Sequence, residues 1–321
     1  MVFPFQEVSM FASRLLFALA LGFTGPAIAA GDWKVPDINQ LPDDPYGQTV
    51  RHGRDLFEKT QSLIGPEVAD PAQRYAGNNL ACQSCHLQAG TQKFAIPMVG
   101  VFADFPQYRA RENRVGPIED RVNGCMERSM NGRALPLDSK EMRAFVSYLK
   151  FLSTGVPVGS KVQGRGPMAI KPIARAADPA KGKAVYAQLC AACHGADGQG
   201  VRRGVKGDGQ GYAFPPLWGP DSYNDGAGMY RVMQAAAFVK GAMPLGVTAD
   251  APVLSDEQAF DVMAYVNSQP RPHKAGMELD FPARTNKPVD MPFPPFADGF
   301  SAEQHKFGPF GPIIEARKKQ K

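Results

Sequence analysis

A mostly α-helical fold, built as two tandem copies of one small domain and closed by a Pro- and Phe-rich C-terminal strap, is what this sequence predicts. Three observations predict it. The pattern C-x-x-C-H occurs twice, as CQSCH at 82–86 and CAACH at 190–194. Similar flanks recur around each copy: HGRDLFEKT (52–60) and KGKAVYAQLC (181–190) upstream, LDSKEMRAFVSYLKFL (137–152) and LSDEQAFDVMAYVNSQ (254–269) downstream. The flanks place apolar residues at helical spacing, and both downstream flanks open with a Ser/Asp cap and an acidic first turn. In register, Leu137 falls on Leu254, Val146 on Met263 and Tyr148 on Tyr265.

The chain starts with a segment of another kind. Residues 10–29, MFASRLLFALALGFTGPAIA, carry one base (Arg14), an apolar run and a small-x-small ending at Ala27-Ile28-Ala29. This is the pattern of a secretory signal peptide over 1–29, cleaved after Ala29. Its apolar run falls short of the roughly 20 residues a membrane-spanning helix needs. No other segment could span a bilayer, so the expected location is the periplasm. Glu7 and Arg14 leave together, which keeps the formal charge at +5. A weak positive balance with 33 Gly and 29 Pro does not resemble a nucleic-acid-binding protein. It fits a loop-rich chain that meets small anions or an acidic partner.

In C-x-x-C-H the two thiols form thioethers with the haem vinyl groups, and the histidine ligates the iron. Two copies predict two covalently bound haem c groups, one on Cys82, Cys85 and His86, the other on Cys190, Cys193 and His194. Helix, haem motif, loop, ligand loop, helix is the order of a small cytochrome c domain. The expected domains are therefore 30–152 and 179–272. Residues 153–178 are rich in Gly, Pro and Ser without apolar periodicity and read as a linker. From 273 to 321 the Pro and Phe content resists regular structure while the Phe residues demand burial. That combination predicts an ordered, extended tail across the domains, with the basic end EARKKQK frayed.

Carriers of this type usually complete the iron with Met from a Met-Pro loop. The second domain supplies Met243-Pro244, and thioether ligation raises the potential, as suits an electron outlet. Met229 is a weaker candidate, and Lys240 lies close enough to compete in one redox state. The spacing of the two motifs sets Ala134-Leu135-Pro136-Leu137 over Ala242-Met243-Pro244-Leu245. Where the second domain has methionine the first has Leu135, which ligates nothing. Cys125, the odd cysteine of five, lies ten residues upstream. A thiolate suits ferric haem iron and pushes electron density onto it. Met126 and Met130 could cap the iron as neutral ligands, and a buried or free cysteine is the plain alternative.

If 121–133 is helical, Arg121, Cys125, Ser129 and Arg133 recur at i, i+4 on one face. Just before them runs Tyr108-Arg109-Ala110-Arg111-Glu112-Asn113-Arg114. A thiolate, a hydroxyl and several guanidinium groups then converge beside one haem, with planar paired donors suited to oxyanions such as sulfonate. For any single arginine a solvated surface is the simpler reading; for the cluster, an anion site.

The stretches CQSCH, RVNGCMERSMNGRALP, CAACHG, FPPLWGPDSYNDGAGM, AMPLG, SQPRPHKAG, KPVDMP and FADGFSAEQHKFGPFGP resemble the dihaem thiosulfate dehydrogenase family over nearly the whole mature chain. The resemblance implies oxidation of two thiosulfates to tetrathionate, or the reverse, with electrons passed to an external acceptor cytochrome or similar carrier. It implies that His86 and Cys125 ligate the active-site haem, and His194 and Met243 the exit haem, with Lys240 an alternative in the oxidised form. Ser129 becomes a substrate-pocket residue, and Arg109, Arg111 and Arg114 remain a group. The chemistry agrees: two dianions need fixed positive charge to meet, and thiosulfate's soft sulfur can bond to a cysteine sulfur. Three rivals are weighed. A pure electron carrier would have methionine in both domains. A sulfur-transfer haem subunit would not explain Met243, and a peroxidase would need a distal base.

Overall fold

The computed structural model describes Met1 and residues 33–319, so the signal segment read from residues 10–29 lies outside the described residues. Among the described residues no helix is long and apolar enough to cross a membrane. The first half runs α1 (Pro45–Glu58), α2 (Thr60–Ile64), α3 (Leu87–Gly90), strands β1 (Gln107–Arg109) and β2 (Arg114–Gly116), α4 (Ile118–Arg128) and α5 (Lys140–Phe151). The second runs α6 (Pro179–Leu189), α7 (Ala191–His194), β3 (Val201–Arg202), β4 (Tyr212–Phe214), α8 (Val232–Ala242) and α9 (Asp256–Ser268). Both strand pairs are antiparallel, and Arg109 stands opposite Arg114 in the first.

Side-chain caps set the helix starts. Asp44 accepts from Gly47 N, Ser139 from Met142 N, Asp178 from Ala180 N and Lys181 N, and Ser255 from Gln258 N. Each half is built on one close helix crossing at a glycine. A Cβ on Gly53 would lie 2.1 Å from the Ala144 carbonyl oxygen, and one on Gly182 1.8 Å from that of Asp261. One turn later an aromatic ring meets the partner helix. Phe57 lies 5.3 Å from Tyr148 and Tyr186 5.5 Å from Tyr265, centroid to centroid. The repeat in the sequence is thus a repeat of packing, down to the glycine that lets the backbones touch.

Two expectations change. Residues 153–178 have little regular structure, but Val162, Ile173 and Ala177 are buried, the latter two in the second core. Isolated apolar residues without a period can anchor a segment without making it a helix. The tail is not extended throughout: it forms α10 (Ala302–Phe307) and α11 (Phe310–Lys318). Phe310 and Ile313 complete the second core. The basic end is helical through Lys318, because Arg317 is buried and its Nε donates to Asp298 at 2.8 Å. Asp298 also meets His305 Nε2 at 2.9 Å.

A polar seam joins the halves. Asp221 accepts from Asn79 N (2.9 Å), Tyr212 Oη (2.6 Å) and Arg202 Nη2 (3.1 Å), and Arg202 also reaches Glu67. Asn224 Nδ2 donates to the Glu127 carbonyl at 2.9 Å, which ties the end of α4 to the second half.

Candidate active site

The loop that offers Met243 in the second half is tied down in the first. Asn123 of α4 accepts from Leu135 N at 2.8 Å and donates to Leu135 O at 3.0 Å. Leu135, Met126 and Met130 are buried together in the first core. α4 starts with Glu119 and Asp120 in its first turn, where acidic groups suit the helix dipole, and carries Cys125 one turn from its end. Burial pushes the Cys85 thiol up to about 11, and the nearby Cys125 adds to the rise. Burial likewise lifts Cys82 to about 12, against its Thr60 hydrogen bond and with Cys125 contributing. Cys125 therefore faces the first motif.

His86 belongs to that motif. Its Nδ1 lies 2.5 Å from the Ile96 carbonyl oxygen. A carbonyl only accepts, so Nδ1 carries the proton and Nε2 keeps its lone pair for a metal. Burial brings His86 down to about 4, with the charge of Arg121 adding and the Ile96 bond opposing. The ring is neutral at physiological pH. His194 repeats the device: Nδ1 lies 2.8 Å from Pro215 O, and burial lowers its pKa.

The arginines fall into layers. Arg121 Nη1 lies 2.7 Å from Cys125 Sγ. Arg109 runs across α4 along two glycines. A Cβ on Gly124 would stand 3.5 Å from its Nη2, and one on Gly116 2.7 Å from its Cδ. It pairs with Glu112 at 2.7 Å, and its buried Nε has no hydrogen-bond partner. Arg111 and Arg128 are both bound to Asp280. Arg114 ends on Asp120 at 2.7 Å and is 55% exposed.

The helix expected over 121–133 stops at Arg128. Ser129 is its C-cap and donates its N–H to Cys125 O. Asn131 turns the chain with φ +47, and Gly132 packs so tightly that a Cβ would meet Tyr75 O at 2.0 Å. Arg133 is thereby turned away from Cys125, with Nη2 2.7 Å from Ala72 O and its guanidinium 4.2 Å over Tyr75. The face that forms is Arg121, Cys125, Arg128 and Ser129, at i, i+4, i+7 and i+8, with Ser129 still in helical conformation. Arg128, Glu112 and Asp280 were given no role in the sequence reading. Helical spacing could have supplied Arg128; Asp280, 152 residues beyond it, carries no local signal.

A cavity of about 420 Å³ lies at the second motif. Cys190, Cys193, His194, Met229 and Met243 line it, and so does Cys85 of the first motif. Lys240 is ion-paired with Asp256 at the start of α9. Two thiols, an imidazole lone pair and thioethers on one cavity suit a covalently held haem. Because the cavity reaches both motifs, the two haem sites share a wall.

Fold and site together define a c-type cytochrome with two haem sites, one of them beside a cysteine and a shell of arginines. The comparisons name the branch. The family described as SoxA/TsdA, cytochrome c domain matches residues 72–158, and the family described as Cytochrome c matches 179–270. The thiosulfate dehydrogenase of Allochromatium vinosum is 44% identical over 242 residues, covering 74% of this chain and 84% of the relative. That of Stutzerimonas stutzeri strain A1501 is 42% identical over 237 residues, covering 74% and 72%. The solved structure of thiosulfate dehydrogenase TsdBA from Marichromatium purpuratum, in its as-isolated form, matches with a TM-score of 0.68 at 38% identity. The match covers 76% of this chain and 50% of that one, so this chain spans half the length of that structure's chain. The chain belongs to the thiosulfate dehydrogenase family and carries two haem c groups.

Proposed function

We propose that this chain oxidises thiosulfate, joining two ions into tetrathionate at Cys125. The observation that carries the reading is the 2.7 Å contact of Arg121 with the Cys125 sulfur beside the first haem motif, in a chain whose relatives are thiosulfate dehydrogenases. Arg121 and Arg109 bring fixed positive charge to a site that must hold a dianion against the negative sulfur. The Cys125 thiolate bonds to the terminal sulfur of one thiosulfate, giving a cysteine S-thiosulfonate and releasing two electrons. A second thiosulfate attacks the sulfane sulfur of that adduct, tetrathionate leaves, and the thiolate is restored. Run backwards, the same steps reduce tetrathionate.

His86 and Cys125 would hold the first haem iron, with Cys82 and Cys85 the thioethers. His194 and Met243 would hold the second, with Cys190 and Cys193. When bound, the haems supply one-electron acceptors of successive potential, which passes a two-electron reaction to one-electron carriers. The shared wall at Cys85 supports a short path between the two sites. We place the enzyme in the periplasm on its signal segment, with an external cytochrome or similar carrier as acceptor. The polar pairing of Lys240 with Asp256 supports Met243 over Lys240 as the resting ligand.

Purified holoprotein mixed with thiosulfate and ferricyanide tests the reading. The expected result is one tetrathionate formed for two thiosulfates consumed and two ferricyanides reduced. No thiosulfate-dependent reduction in a protein with both haems attached would overturn it.

A further inference from the structure

Asp280 belongs to the C-terminal strap, yet its carboxylate ends between two arginines of the first half. Oδ1 accepts from Arg128 Nη2 at 2.8 Å and Oδ2 from Arg111 Nη1. All three side chains are largely buried, at 12% exposure for Asp280, 13% for Arg128 and 19% for Arg111. Two guanidinium groups so placed repel each other. Burial, with Arg128 adding, brings Arg111 down to about 10 even with Asp280 beside it. The carboxylate is what lets the two cations share the site.

The neighbouring backbone points the same way. Phe281 adopts φ +58, a left-handed conformation that is costly for a residue with a Cβ and is kept only where surroundings enforce it. In that conformation its N–H donates to Arg111 O at 2.8 Å, and its ring lies 4.9 Å from the Arg111 guanidinium. Asn286 adds a bond to Tyr108 Oη at 3.1 Å. The strap therefore grips the β1–β2 hairpin by backbone and side chain at once. Its two arginine partners belong to the hairpin, whose Arg109 reaches Gly124, and to α4, which carries Cys125. Arg111 sits in the hairpin turn two residues from Arg109, and Arg128 shares the α4 face of Arg121 and Cys125.

We propose that Asp280 is a positioning residue for thiosulfate. By bridging Arg111 and Arg128 it fixes the hairpin against α4, so that Arg109 and Arg121 close on one anion beside Cys125. The proposal rests on the reading of Cys125 given above. Asp280 itself makes no contact with substrate; it acts through the two arginines.

Asp280→Asn keeps the shape and removes the charge. Thiosulfate affinity is measured by calorimetry in the Cys125→Gly holoprotein, with and without this change. The expected result is a Kd raised about tenfold, partly restored by Asp280→Glu. In enzyme with Cys125 intact, Asp280→Asn should raise KM about tenfold and change kcat far less, with both haems and their spectra retained. Adding Arg128→Gln to Asp280→Asn should cost nothing further, because both act through one bridge. Unchanged Kd and KM would overturn the proposal. So would a loss confined to melting temperature or haem content at normal KM, which would make Asp280 a fold contact alone. If Cys125→Gly gives no binding signal, the KM arm decides by itself. Turnover by Cys125→Gly would instead sink the reading of Cys125, and the KM of Asp280→Asn would still judge the bridge.

Discussion

Arg121 and Arg114 both looked like members of one basic cluster, and their surroundings now separate them. Arg121, itself exposed, donates to the Cys125 sulfur of the proposed site, whereas Arg114 ends on Asp120. Removing a charge-assisted bond costs about 1.5–3 kcal/mol, so Arg121→Gln should lower kcat/KM by about ten- to a hundredfold. An exposed ion pair is worth about 0–1 kcal/mol, so Arg114→Gln should stay within about fivefold of the parent. Steady-state kinetics on the two holoproteins checks both, and equal losses would show that the layering has no functional meaning. Cys125, Arg121 and the absence of a ligand at position 135 were legible in the sequence, because each depends on spacing within one helix or one motif. The sorting of Arg109, Arg111 and Arg114 was not. It depends on Glu112, Asp280 and Asp120, and ion-pair choice is made by tertiary distance.

At the scale of elements, the two glycine crossings carry the architecture. A methyl on Gly182 would meet the Asp261 carbonyl oxygen at 1.8 Å, and helix backbone has little room to yield. Gly182→Ala should therefore destabilise the protein by about 3 kcal/mol, at the upper end of ordinary overpacking. At Gly228 an added Cβ meets nothing within 4 Å, so Gly228→Ala should change stability by less than about 0.5 kcal/mol. Denaturant titration of the holoproteins compares the two, and similar midpoints would contradict the crossing. The four flanking helices were legible because a glycine, an apolar stripe and a Ser/Asp cap lie close together in sequence. The early end of α4 was not, since the left-handed turn at Asn131 and the contact of Gly132 with Tyr75 involve a loop far earlier in the chain. α10 and α11 were hidden by the surrounding Pro and Phe, whose burial is decided by the second core.

Across the whole molecule, the strap ties the second half to the arginine layer of the first and locks itself down through buried charge. Lys287 is 2% exposed, and its Nζ donates to the carbonyls of Phe293 and Pro295, the latter at 3.0 Å. Burial, with Arg284 adding, brings it down to about 8 from its ordinary 10.5. Between those values the unfolded chain binds more protons than the folded one. This residue's contribution to stability therefore rises as pH goes from about 8 to about 10.5. Lys287→Met should flatten that rise when urea midpoints of the two proteins are compared over the same window. A parallel pH dependence in both would show that Lys287 keeps an ordinary pKa. None of these long-range ties was legible in the sequence, which showed a strap wanting burial but not what it would hold.

The central claim is that Cys125 carries the sulfur chemistry as well as facing the iron, and Cys125→Met separates the two roles. Methionine restores a neutral sulfur of the kind Met243 offers in the second half, but its thioether cannot form the thiosulfonate. The measurement is tetrathionate formation by the Cys125→Met holoprotein, alongside the potential of its first haem. The account predicts a raised potential, both haems in place and no tetrathionate above background. Thiosulfate oxidation at near the parent rate would contradict it.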